Sequence, residues 1–226
     1  SVEGLKPYLD AQKRQYYFHN IHKAGLIFSK LPMIYLKALR KINYRNLGVE
    51  YSERVRKFDD FRRNFKLSGI SATSPKQLTD LALTYDAIVV GSDQLWRPDN
   101  IFPEYYTLSW VPDNIPKFSY ATSFGVSELD GCYKSKAKTF LNRMSAISVR
   151  ENSGGDLVKE LTGKIPCIVC DPVFLLTKNR WNTLSDTGRC PNRKYIFTYF
   201  LGRGGECRRF AEKLSDITGL PLVGAV

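Results

Sequence analysis

Two hydrophobic periods divide the chain. Between Asn20 and Asn46 the apolar residues Leu26-Ile-Phe28, Leu31, Ile34-Tyr35, Leu39 and Ile42 return every three or four positions. Val55, Phe58, Phe61 and Phe65 repeat that spacing behind Ser52, a residue suited to cap a helix. Both stretches predict amphipathic helices. Ser74-Pro75, a capping residue followed by Pro at the first helical position, opens a short helix that runs to Tyr85. From Asp86 the period changes to short β-branched runs that stop at turn residues, at 86–91, 117–123, 146–150 and 167–171. Helical stretches separate the later runs, from Glu128 to Met144 and from Ser153 to Leu161, the second closed by Gly163. Strands about 20 to 30 residues apart with helices between them predict a parallel, doubly wound α/β sheet.

After Asp171 a short helix is expected around Arg180-Trp181, and the polar stretch Asp186 to Arg193, with Gly188 and Pro191, reads as a linker. The pattern then restarts. Tyr195 to Phe200 is a strand, Gly202-Arg-Gly-Gly205 a turn, Cys207 to Thr218 a helix and Leu220 to Val226 a strand. The expected organisation is a Rossmann-like domain over 1–188 with a basic helical insertion at about 16–66, and the start of a second α/β domain over 192–226. One βαβ unit cannot cover both faces of its own sheet, so the second domain is expected to continue past Val226.

Composition narrows the class. The chain has 226 residues, 43% of them apolar and 13% aromatic, enough for a core and against disorder. No apolar run approaches the roughly 20 residues of a membrane span, and the five charges of Ser1 to Gln15 do not suit a signal peptide. The net charge of +12 is uneven: residues 1–80 hold 16 Lys/Arg against 7 Asp/Glu, and residues 81–226 hold 18 against 15. The excess follows the first amphipathic segment, where Lys23, Lys30, Lys37, Arg40, Lys41 and Arg45 interleave with the apolar positions. Such a helix suits a solvated cap on the domain, an anionic membrane surface or, least well, nucleic acid. The five cysteines are an odd set that reads as reduced thiols of a cytosolic protein. Cys167 and Cys170 have metal or redox spacing, but with no second such pair and both histidines far away they read as small core residues, and no metal is expected.

Ligands of an open parallel sheet dock outside the carboxyl ends of its strands. The residues there are Gly91-Ser-Asp-Gln94, Ser123-Phe-Gly125, Arg150 with Glu151, Asp171-Pro172 and the 202–205 turn, which matches no phosphate-loop pattern. A cation directly after a buried strand needs an anion. Arg150 is therefore either paired with Asp93, Glu151 or Asp171, or it faces a ligand. Trp96 either stacks on a sugar ring or covers the edge of the core.

The ordered motifs Tyr85-Asp-Ala-Ile-Val-Val-Gly-Ser-Asp-Gln-Leu-Trp96, Phe118-Ser-Tyr-Ala-Thr-Ser-Phe-Gly125, Ile147-Ser-Val-Arg-Glu-Asn-Ser153, Asp171-Pro-Val-Phe-Leu-Leu-Thr177 and Tyr195-Ile-Phe-Thr-Tyr-Phe-Leu-Gly202 resemble the polysaccharide pyruvyl transferase family. The resemblance implies a two-domain, glycosyltransferase-B-like fold. It also implies transfer of the enolpyruvyl unit of phosphoenolpyruvate, with no cofactor, to a sugar diol of a bacterial surface polysaccharide or its lipid-linked precursor. In this reading Arg150, Ser123, Gly125 and Arg203 bind the donor, and Asp93, Gln94 and Trp96 the acceptor. The acid histidine is expected beyond Val226. The protein would be cytoplasmic, held at the inner leaflet through residues 20–66. The same architecture also suits a nucleotide-sugar glycosyltransferase, and the basic segment alone a non-enzymatic binding module.

Overall fold

The computed structural model describes residues 5–19, 48–66, 69–185, 191–200 and 205–225. The basic segment with Lys23 to Arg45, Arg203, and the first five residues of the expected linker lie outside them. The chain forms two compact units, Ser1–Leu175 and Leu176–Val226.

The first unit opens with helix α1 (Lys6–His19), then α2 (Gly48–Arg62) and α3 (Pro75–Ala82). In α3 the expected cap is made: Ser74 Oγ accepts from Gln77 N at 3.3 Å, while the Gln77 side chain accepts from Thr73 N at 2.7 Å. Four parallel strands follow, β1 (Ile88–Asp93), β2 (Lys117–Thr122), β3 (Ala146–Val149) and β4 (Cys167–Ile168), in the spatial order β1-β2-β3-β4. The four-residue helix α4 (Pro98–Ile101) follows β1, and the crossover helices are α5 (Gly131–Asn142) and α6 (Asn152–Thr162). The α/β class and the parallel sheet agree with the hydrophobic pattern.

Tyr133, Ala137, Phe140 and Leu141 of α5 join Leu157, Val158 and Leu161 of α6 and the strand residues Val90, Ile147 and Val149 in the main core. Gly155 lets α6 approach the sheet closely, since a Cβ there would lie 2.8 Å from Ile168 Cδ1. Leu5, Ala72 and Leu78 form a smaller core against Leu9, Tyr105 and Trp110, which anchors the start of α1.

Buried Lys117 and half-buried Arg143 tie the loop before β2. Lys117 Nζ donates to the carbonyls of Pro112 at 2.7 Å, Ile115 at 3.2 Å and Val111 at 3.5 Å. Arg143 donates to the carbonyls of Ser109 and Val111, at 2.9 and 2.7 Å, and to the Asp113 carboxylate at 2.7 Å.

Between Ser119 and Thr122 the β2–β3 register shifts, and Ala121 takes a left-handed conformation with φ of 52°. Two buried serines repair the ladder. Ser119 Oγ accepts from Ser148 N at 3.1 Å, and Ser148 Oγ donates to Ser119 O at 2.8 Å and accepts from Ala121 N at 3.2 Å.

Three expectations are corrected. Strand β1 starts at Ile88 and runs on through Ser92 and Asp93, because Asp93 still pairs with Thr122 of β2. Strand β4 has two residues only, and Asp171 belongs to the turn that opens a 3₁₀ segment, Pro172–Leu175. Cys167 and Cys170 are exposed, not core residues, because β4 pairs on one side alone.

The second unit carries α7 (Lys178–Leu184), β5 (Ile196–Tyr199), α8 (Gly205–Thr218) and β6 (Leu222–Ala225). Strands β5 and β6 are parallel, and Ala211 of α8 is buried.

Candidate active site

The register aligns the ends of the first sheet. Asp93 faces Thr122, Thr122 faces Val149 and Val149 faces Ile168. The residues just beyond, Gln94, Ser123 and Arg150, therefore share one edge with Asp93. Main-chain bonds fix its first half: Ser123 N donates to Asp93 O at 2.9 Å, Leu95 N to the same carbonyl at 2.8 Å, and Trp96 N to Ser123 O at 3.0 Å.

Gly91 makes the close approach of β1 and β2 possible. Its φ is +155°, and a Cβ there would run into the Tyr120 carbonyl oxygen. Asp93 holds φ at 69°, a conformation rare outside Gly, Asn and Asp, and its side chain is 79% exposed. A strained, exposed carboxylate at a strand end points to use rather than to packing.

Arg150 gathers three carboxylates. Its Nη1 donates to Asp171 Oδ2 at 2.9 Å, its Nε to Glu151 Oε1 at 3.4 Å, and its Nη2 lies 3.6 Å from Asp93 Oδ1. The paired reading of this residue is thus realised with all three acids together. Burial works against the guanidinium charge, but the hydrogen bond to Asp171 and the Glu151 carboxylate outweigh it, and the Arg150 pKa rises above its ordinary value. Asp171 is itself pinned. It accepts from Val173 N at 3.1 Å and from Ser92 Oγ at 3.2 Å. The Val173 N–H first, with Arg150 and Ser92 behind it, holds the Asp171 carboxyl below the usual carboxylate range.

Arg150 keeps an open flank. Its side chain is 27% exposed, and Nη2 makes only the long contact to Asp93, with no hydrogen bond among the described residues. The cluster therefore offers, side by side, a guanidinium edge for an oxyanion and a carboxylate for a hydroxyl.

The other sequence candidates divide. Gln94 is exposed on this edge, and Gly125 lies under it: a Cβ at Gly125 would sit 3.0 Å from Gln94 Cδ and 3.1 Å from Arg97 Cγ. Ser123 is fully buried, and its Oγ accepts from Gly125 N at 2.9 Å, so it shapes the turn instead of meeting the donor directly. Trp96 is a correction as well. It is fully buried, its ring packs against Phe124 and Phe140 at 5.3 and 5.2 Å, and its Nε1 donates to Tyr106 O at 3.1 Å, so it cannot be a sugar platform. Ser92 stood in the strand-end run Gly91-Ser-Asp-Gln94 without a role of its own, and its Oγ now meets Asp171. Arg97 escaped the sequence reading: half-exposed beside Gln94 and paired with Asp99 at 3.4 Å, it follows Trp96 without any local motif.

No curated protein and no solved structure matches the chain significantly. The family model described as polysaccharide pyruvyl transferase matches residues 8–215, which include every strand of the first sheet and the whole Asp93, Arg150 and Asp171 cluster. The chain belongs to the polysaccharide pyruvyl transferase family, and it is a transferase.

Proposed function

We propose that the protein takes the enolpyruvyl unit from phosphoenolpyruvate and builds it into a pyruvate ketal on a sugar diol of a surface polysaccharide or its lipid-linked precursor. The observation that carries this is the meeting of Asp93, Arg150 and Asp171 at the carboxyl edge of the sheet, in a chain that the family match spans almost end to end.

In the reaction the donor's methylene carbon gains a proton and becomes a methyl group. Two sugar oxygens bond to the central carbon, the bond from that carbon to the phosphate oxygen breaks, and inorganic phosphate leaves. Of the two hydroxyl protons, one balances the new methyl hydrogen and the other the phosphate. Charge therefore moves from the enol towards phosphate while a cationic carbon forms.

Arg150 is the donor-binding residue of this scheme. Asp171 and Glu151 hold the guanidinium plane, and the Nη2 edge is left for a phosphate or carboxylate oxygen. Three carboxylates around one guanidinium give a formal charge of −2. A multiply anionic donor must therefore displace Asp93, whose contact is the longest and whose side chain is the most exposed. Freed from Arg150, Asp93 accepts a hydrogen bond from the acceptor hydroxyl, with Gln94 beside it. Arg97 adds positive charge on the Gly125 side of the edge.

The basic residues between 20 and 66 bring the enzyme to the anionic inner leaflet, where a lipid-linked acceptor resides. The exposed Val55 and Phe61 of α2, and Phe65 just after it, support this role, as does the charge excess of residues 1–80. Co-sedimentation with anionic vesicles tests it, and charge reversal at Lys30, Lys37 and Lys41 is expected to release the protein.

For the donor, thermal denaturation with phosphoenolpyruvate at about 100 times its Kd should show stabilisation of about 2.7 kcal/mol, and UDP-sugars should give none. Mass spectrometry of a diol acceptor incubated with donor and enzyme should show the ketal together with released phosphate. Stabilisation by UDP-sugars alone would replace this reading with glycosyl transfer.

A further inference from the structure

Away from the strand ends, α1 and the segment after α4 enclose an open recess of about 220 Å³, lined by Lys6, Asp10, Lys13, Asn100, Tyr105 and Tyr106 among others. Its size suits one sugar ring, below the roughly 300–1,000 Å³ that buries a drug-sized ligand.

The aromatic wall is pre-formed. Trp96 Nε1 holds the Tyr106 carbonyl at 3.1 Å, Trp110 Nε1 holds the Tyr105 carbonyl at 2.8 Å, and the two tyrosine rings meet edge to face at 5.0 Å. The opposite wall carries unspent charge. Lys6, Asp10 and Lys13 are spaced four and three residues apart on one helix face, where opposite charges readily pair. Yet none of the three makes an ion pair among the described residues. Asn100 ties the recess to the candidate active site, because its Nδ2 donates at 3.4 Å to the carbonyl of Gln94, the residue after Asp93.

Tyrosine rings, an amide and one carboxylate suit the apolar faces and hydroxyls of a sugar. Two ammonium groups against one carboxylate leave a net positive charge that a neutral sugar does not use. A bare phosphate gains nothing from the rings and is repelled by Asp10.

We propose that this recess is a second acceptor subsite, which takes a negatively charged sugar unit of the polysaccharide chain next to the sugar that receives the ketal. The inference rests on the reading that the acceptor is a saccharide.

The test uses the full chain and three probes: methyl β-D-glucuronide, methyl β-D-glucoside and inorganic phosphate, with binding read by NMR titration. The glucuronide is expected to bind about tenfold more tightly than the glucoside, and phosphate more weakly than either. Lys6→Ala and Lys13→Ala, made singly and together, should bring the two glycosides to equal affinity and leave glucoside binding and the stabilisation by phosphoenolpyruvate unchanged. Tested singly, one variant still decides if the other folds poorly. Tyr106→Leu should weaken both glycosides. The proposal is overturned if the wild-type protein binds neither glycoside, if the preference survives loss of both lysines, or if phosphate binds as tightly as the glucuronide. Phosphoenolpyruvate separates the two readings. If it stabilises the protein while the glucuronide does not bind, the subsite falls and the donor assignment stands. If the glucuronide binds as described and phosphoenolpyruvate does nothing, the donor assignment falls and the subsite stands.

Discussion

Replacing Arg150 by Lys keeps the charge and removes the geometry, which makes it the sharpest probe of the strand-end cluster. The guanidinium reaches Asp171, Glu151 and Asp93 in three directions, at 2.9, 3.4 and 3.6 Å. One ammonium on a flexible stem can keep Asp171 but cannot span all three. The two lost contacts involve partly exposed carboxylates, and such pairs contribute about 0.2–1 kcal/mol each in screened surroundings. A stability loss of about 1 kcal/mol follows, or roughly 2–4 °C in the melting temperature. For the donor, loss of charge-assisted hydrogen bonding to an oxyanion costs about 1.5–3 kcal/mol, a weakening of about 10- to 150-fold. Calorimetric melting without ligand measures the first effect, and titration with phosphoenolpyruvate measures the second. A variant that melts several degrees early yet binds phosphoenolpyruvate within a factor of two of wild type would make Arg150 a structural hub alone and refute the donor assignment.

Three further outcomes follow from the same contacts. Gly91→Ala should drive β1 and β2 apart at the Tyr120 carbonyl and move Asp93 from Arg150, so that activity falls far more than secondary structure content as read by circular dichroism. Lys117→Met strips the donors from three loop carbonyls and should cost about 2–4 kcal/mol in urea denaturation. Burial holds Lys117 below its ordinary pKa, so the unfolded chain binds more protons between the folded value and the unfolded value of roughly 10.4. Wild-type stability should therefore rise with pH across that window, and the Met variant should lose the rise. Asp171 has the same sign in the acid range. Its depressed pKa gives stability that is fully present above the unfolded carboxylate value of roughly 3.9 and is lost as pH falls through the folded value. Asp171→Asn should flatten the acid limb of a melting-temperature profile, and an unchanged limb would remove Asp171 from the cluster's energetics.

How much of this was legible in the chain depends on how local each feature is. The β-branched runs around Val89-Val90 and Ile147 announced their strands, and Ser74-Pro75 announced its helix, because those signals lie within a few residues. Arg150 could be read as a cation in need of anions, and its three partners could be named. That all three converge was not readable, since it depends on the register that aligns Asp93, Thr122 and Val149. Trp96 shows the opposite failure. It stands three residues past a strand end, where an exposed ring can sit. The turn closed by Leu95 N on Asp93 O, and by Trp96 N on Ser123 O, swings it inward onto Phe124 and Phe140. The serine repair of β2 and β3 joins positions 29 residues apart, and the recess joins Lys6 to Tyr105. No local pattern marks either.

The strand order has a consequence for how the chain is made. In the first sheet β2, β3 and β4 each pair with the strand synthesised just before them, and none has to be inserted between two that are already joined. As the polypeptide emerges from the ribosome, the sheet can grow in one direction at the pace of translation, one strand and one crossover at a time. Among the described strands the growing edge then belongs to the newest one, so no edge inside the sheet waits for a late partner. The last strand delivered, β4, brings Asp171 soon after it, and with that residue the third carboxylate closes around Arg150. The strand-end cluster is thus completed only as the last strand of the sheet arrives, and a nascent chain stopped before Pro166 would carry a largely paired sheet with an unfinished site.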